Sequence, residues 1–142
     1  MPSRPKISAT TRRQVAEWAD HRCSYCRSPE IVGIPMVIEH IIPLAAGGSS
    51  APQNLCLACY RCNEFKGSLL TAIDPLTGIS TSFFHPRQQL WQDHFAWSQD
   101  GVQLIGITPC GRAMVEVLHL NSDWLIRARR IWIIAGIHPP LA

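Results

Sequence analysis

Cys23-Ser24-Tyr25-Cys26 and Cys59-Tyr60-Arg61-Cys62-Asn63-Glu64-Phe65-Lys66-Gly67 stand thirty-two residues apart, and their reading decides the fold. Two C-x-x-C pairs at this spacing can close a tetrahedral zinc site, each thiolate taking one corner and none left open. Such a site is structural. It joins the two ends of a segment of about 67 residues whose own apolar core is marginal, and metal binding then contributes folding free energy. A disulfide set is the competing reading of six cysteines in 142 residues. It is disfavoured because the first residues carry Arg4, Lys6 and two prolines instead of an apolar export segment, so a reducing cytoplasmic setting is expected. Cys56 and Cys110 read as ordinary buried thiols.

Between the pairs, the β-branched apolar run from Pro35 to Ile42 reads as a strand with Glu39 and His40 near its end. Pro43 stops it. Gly47-Gly48-Ser49-Ser50 and Pro52 form a loop that reverses the chain before a short strand at Asn54-Leu55-Cys56-Leu57. A short helix from Cys59 ends at Gly67. Adjacent residues of a strand point to opposite faces, so Glu39 and His40 can share a cleft only if the chain twists or leaves the strand there.

The order Cys-x-x-Cys, Glu39-His40-Ile41-Ile42-Pro43, Gly-Gly-Ser, Asn54-Leu55, then Cys-x-x-Cys-Asn63-x-x-Lys66-Gly67 resembles the HNH endonuclease family with its ββα-metal core. The resemblance covers about residues 23 to 67 and implies metal-dependent hydrolysis of DNA phosphodiester bonds. Residue chemistry agrees with that implication. A neutral imidazole with an ordinary pKa of about 6.5 can take a proton from water near pH 7, which suits His40 as general base. The matching family positions make Glu39 and Asn63 ligands of a catalytic divalent ion, and Asn54 the residue that holds the base or its loop in place. Asn63 stands where the family often has His, giving an HNN variant whose all-oxygen donor set favours Mg²⁺ or Mn²⁺. Lys66 matches the motif and, with Arg61, flanks the site where phosphate is expected. Double-stranded DNA is the expected partner. The rival reading is a zinc-ribbon module that grips nucleic acid or protein and cleaves nothing; the tandem Glu39-His40, unneeded by such a module, argues against it.

The expected fold class is α+β: a basic arm over residues 1–9, a zinc-stapled core over 10–67, and a C-terminal β-hairpin with two helices over 68–142. A helix should start at Thr10 or Thr11 and end at Cys23. Phe95 and Trp97, then Asp100-Gly101, then Val102 to Ile107 spell a hairpin. Thr108-Pro109 opens one helix through Leu118, and Ser122-Asp123 another to Gly136. That last helix, apolar nearly all round, should pack on the hairpin or on a second subunit. Phe83, Phe84, Trp91, Phe95 and Trp97 read as core in preference to a base-stacking platform, and Arg127, Arg129 and Arg130 as a scattered solvated set. The formal charge of +3 is too mild to identify a nucleic-acid binder. Its placement says more: residues 1–67 hold eight Lys or Arg against five acids, and residues 68–142 hold five against five. The longest apolar run, Ile131 to Ile137, is far short of the roughly 20 residues of a membrane span.

Overall fold

The computed structural model describes residues 6–31 and 35–140, so most of the expected basic arm lies outside the described residues. Helix α1 spans Ala9–Trp18 and is capped by Ser8, whose Oγ accepts the Thr11 amide at 3.1 Å. The expected caps Thr10 and Thr11 are inside the first turn instead. The helix also stops short of Cys23, because Asp20 and His21 take φ of 54° and 55° and turn the chain. Val15 and Ala16 form its buried face.

Strand β1 (Met36–His40) pairs antiparallel with β2 (Leu55–Cys59), placing Glu39 opposite Cys56 and His40 opposite Leu55. The first cysteine knuckle closes through Cys23 N–H to Ser28 O at 2.9 Å and docks on the hairpin through Ser24 N–H to Leu57 O at 2.8 Å. Helix α2 (Tyr60–Lys66) follows β2 without a loop. Cys59 caps it, its sulfur accepting the Cys62 amide, and Gly67 ends it. Strand, loop, strand and helix therefore occur in the order expected, with both knuckles at the same end.

The segment after Gly67 holds a hairpin that the sequence reading passed over: β3 (Thr71–Ile73) with β4 (Ser80–Ser82). Asp74 builds its turn, accepting from Leu76 N–H and Thr77 Oγ1, and Gly78 has a φ of 73°. The Asp-Pro…Gly signature was present, but strands of three residues are too short for alternation to declare them. The expected hairpin is β5 (Phe95–Trp97) with β6 (Leu104–Gly106), shorter than the apolar run that announces it. Helices α3 (Pro109–Val117) and α4 (Asp123–Ile134) are capped by Thr108 and Ser122. Gly106 lets β6 and α3 touch, since a Cβ there would lie 2.3 Å from Arg112 N, and a Cβ on Gly111 would lie 2.0 Å from His94 O.

The sheets are three separate two-stranded pairs, so no extended sheet organises the described residues. A main apolar core does, beside a small cluster of Ala16, Ala19 and Leu57 under α1. The main core is continuous. It runs from Cys23, Tyr25, Cys56 and Ala58 to Phe84, Phe95, Leu104 and Met114, and the aromatic series belongs to it. Arg129 is the clear departure. Expected on a solvated surface, it is 0% exposed on the inner face of α4 beside Leu125 and Trp132, while Arg127 and Arg130 are exposed. Its guanidinium donates to Val102 O at 2.9 Å, Asn121 Oδ1 at 3.1 Å and Leu120 O at 2.6 Å, and it lies over the Trp97 ring. Helical periodicity had set Arg129 apart from Arg127 and Arg130; the acceptors that favour its burial come from the loop just before α4 and, for Val102 O, from 27 residues away.

Candidate active site and metal centre

Cys23, Cys26, Cys59 and Cys62 are all buried, and their sulfurs lie within 4.8 Å of one another. Cys26 and Cys59 sulfurs are 3.7 Å apart. Zn–S bonds of about 2.3 Å at tetrahedral angles place sulfurs roughly 3.8 Å apart, so the cluster has the dimensions of a closed zinc site. None of the six cysteines is in a disulfide. The crowding polarises the thiols: hydrogen bonds from Cys23, Cys59 and Cys62 hold Cys26 well below the ordinary thiol range, while burial pushes Cys23 well above it. One knuckle comes from the loop after α1 and the other from the β2–α2 junction, so an ion held there would clamp the helix-bearing N-terminal segment to the ββα unit.

His40 ends β1, half-buried, with Nε2 at 2.9 Å from Ser50 Oγ. Ser50 belongs to the long β1–β2 loop, and Asn54 fastens that loop at both ends. Asn54 Oδ1 accepts Ile42 N–H at 2.8 Å, and Nδ2 donates to Ile42 O at 3.0 Å and Ser49 O at 2.7 Å. Gly48 packs so tightly under this clamp that a Cβ would fall 1.8 Å from Ile42 O, which only glycine tolerates. Asn63 sits half-buried on α2, one residue after the last cysteine of the cluster.

Glu39 and Lys66 are placed otherwise than the sequence reading expected. Register puts Glu39 on the opposite face of β1 from His40, beside Cys56. There its carboxylate is buried, accepting from Tyr25 Oη, with Cys56 Sγ at 3.7 Å and Lys66 Nζ at 3.5 Å. Burial pushes this carboxyl above its ordinary range, and Lys66 pulls in the other direction. Lys66 is 1% exposed and donates to Ile41 O at 2.9 Å and His40 O at 3.3 Å. Neither side chain faces an open cleft. The physical reason is the pleat: the face that turns His40 outward turns its neighbour into the core.

Two contributors escaped the sequence reading. Tyr25 is 0% exposed, and the only signal was a large aromatic inside a knuckle. Ser50 had no signal beyond lying in a Gly-Ser loop. Residues 23–69 match the family model described as HNH endonuclease. The CRISPR-associated endonuclease Cas9 of Corynebacterium diphtheriae is 31% identical over 93 residues, an alignment covering 62% of this chain and 8% of that protein. The chain thus spans a small part of that relative's length. No solved structure matches it. The cysteine cluster, His40 and the loop that Asn54 clamps all lie within residues 23–69, the stretch similar to the HNH endonuclease family.

Proposed function

We propose that this chain is a metal-dependent endonuclease that hydrolyses DNA phosphodiester bonds, with His40 as the general base that activates water. The observation that carries the reading is His40 itself. It stands at a strand end beside a loop clamped by Asn54, its imidazole held by Ser50, in a chain stapled by four cysteines. An imidazole so placed can take a proton from water near neutral pH, and the Ser50 contact fixes the ring plane. A bound Mg²⁺ or Mn²⁺ would neutralise charge developing on the phosphate and the leaving oxygen. Asn63 offers a hard amide oxygen for that ion. Glu39, the other ligand implied by the family, reaches it only by giving up Tyr25 and Lys66.

Zinc in the cysteine cluster is structural in this reading, and double-stranded DNA is the substrate. Among the described residues no helix is long and apolar enough to cross a membrane. The burial of Glu39 favours one second reading, a zinc-ribbon module that binds DNA or protein without cleaving, because it takes Glu39, the charged ligand that the family resemblance implies, off the His40 face.

A plasmid nicking assay with Mg²⁺, Mn²⁺ or chelator separates the two. The nuclease reading expects nicking by wild type, abolition by chelator, 5′-phosphate ends, and a loss of roughly 10² to 10⁴-fold in His40→Ala with zinc content unchanged. Wild type that shifts DNA in a gel yet never nicks it supports the binding module. Equal rates in wild type and His40→Ala would remove His40 as the base.

A further inference from the structure

Behind His40, on the face of β1 turned into the core, Tyr25, Glu39, Cys56 and Lys66 form a closed polar cluster that the reaction above does not use. We propose that Glu39 and Lys66 are positioning residues, a buried strut that fixes the backbone of His40 and Ile41 where β1 ends and so aims the His40 ring. The inference rests on the reading of His40 as the base.

The geometry of Lys66 carries the argument. Successive carbonyls of a strand point in opposite directions, so one ammonium cannot reach two of them while the chain stays extended. Lys66 Nζ nonetheless lies 2.9 Å from Ile41 O and 3.3 Å from His40 O. The chain therefore turns out of the strand at the Ile41 carbonyl, just past β1, while Ile41 N–H, donating to Asn54 O at 2.8 Å, still continues the β1–β2 register. The pleat already turns His40 away from Glu39, and this turn fixes the strand end at which His40 sits. Lys66 holds it from α2, the helix that also carries Cys62 and Asn63.

The ammonium is spent in doing so. Its three donors face Ile41 O, His40 O and Glu39 Oε1 at 3.5 Å, and the group is 1% exposed over the Phe83 ring. It has no donor left for a phosphate and no route to one. Glu39 is its counter-charge, without which a buried ammonium would be strongly disfavoured. Glu39 in turn is fixed by Tyr25, which lies between two cysteines of the first knuckle. The strut therefore spans the first cysteine knuckle, β1 and α2.

Glu39→Gln, Lys66→Met and the double variant test this, each checked for zinc content and cooperative unfolding. The double variant removes both charges together, so it stays folded even where Lys66→Met, which strands a buried carboxylate, does not. The strut expects kcat for nicking to fall roughly ten- to a hundredfold in the folded variants. KM for plasmid and the Mg²⁺ midpoint should stay within about twofold, because neither substrate nor ion has lost a contact. Independently of cleavage, the backbone amide and imidazole resonances of His40 should shift in every folded variant, while those of Leu104 and Asn121 do not. A Mg²⁺ midpoint raised about tenfold in Glu39→Gln, with cleavage restored by added ion, would make Glu39 a ligand and overturn the strut. A raised KM with a salt dependence shallower by about one unit in the double variant would make Lys66 a phosphate contact. Wild type that nicks nothing with either metal sinks the nuclease reading alone; the strut then stands or falls on the resonances, and an unmoved His40 ring overturns it.

Discussion

The cysteine-bearing half and the half that follows bury polar groups by different means. Residues 10–67 enclose five thiols, a carboxylate and an ammonium in a unit whose elements are α1, two five-residue strands and a seven-residue helix, too little hydrocarbon to exclude water alone. Residues 68–140 enclose aromatic and aliphatic side chains, and their buried charges are met directly. Asp74 takes a two-pronged contact from Arg112 at 3.0 and 2.9 Å, which holds its carboxyl below the ordinary range, and Arg129 donates to loop oxygens through both Nη atoms, leaving its buried Nε without a partner among the described residues. The difference teaches where each half gets its order. The first holds a four-thiol cluster fit for a metal and a buried charge pair; the second relies on apolar packing and lends that packing to the first, since Phe84, Phe95 and Met114 share one core with Cys23, Cys26 and Cys62.

Removing the metal should break the comparison most severely. Structural zinc contributes about 10–16 kcal/mol in small domains, more than such a unit can spare. Chelation, or Cys59→Ser, should unfold residues 10–67 and lower the melting temperature of the rest, followed by far-ultraviolet and tryptophan signals together. A second half that keeps its own unshifted transition would show that the shared core is not cooperative.

Arg129→Met probes the other half. It leaves Val102 O and Leu120 O facing a hydrocarbon, at a cost of about 3 kcal/mol by urea titration. Zinc content should not change. An unchanged midpoint would mean that water replaces the guanidinium at no cost, and that α4 is less enclosed than its burial says.

Asn54→Ala should be smaller and local, about 1–2 kcal/mol, because it cuts the loop clamp and leaves both knuckles intact. Hydrogen exchange at the Gly48 amide, which donates to Pro43 O, should accelerate while the Leu104 amide does not. Equal acceleration at both would mean the loop and the β6 region open as one unit.

The smallest effect concerns pH in the second half. Burial holds the His138 imidazole below its ordinary range, with Nε2 2.8 Å from Gly101 O. The folded state therefore refuses a proton that the unfolded chain accepts. Stability is full above the unfolded-state value of about 6.5 and is lost as pH falls through it toward the lower folded-state value. The drop in melting temperature on acidification across that window should be smaller in His138→Gln. An identical drop would assign the acid sensitivity elsewhere.

The sequence by itself determined the cysteine cluster, the strand-loop-strand-helix order and the place of His40 and Asn54, because each rests on local signals. C-x-x-C is a tight knuckle, Pro43 and Gly48 punctuate the loop, and Gly67 ends a helix wherever they occur. It also supplied the caps Thr108 and Ser122, for the same reason. The fates of Glu39, Lys66 and Arg129 were decided only by tertiary structure. A charged side chain reads as exposed until the chain brings it partners, and theirs came from afar: Tyr25 lies 14 residues from Glu39, and His40 lies 26 residues from Lys66. Burial of a charge is a property of the pair or the network, and no window of sequence contains it.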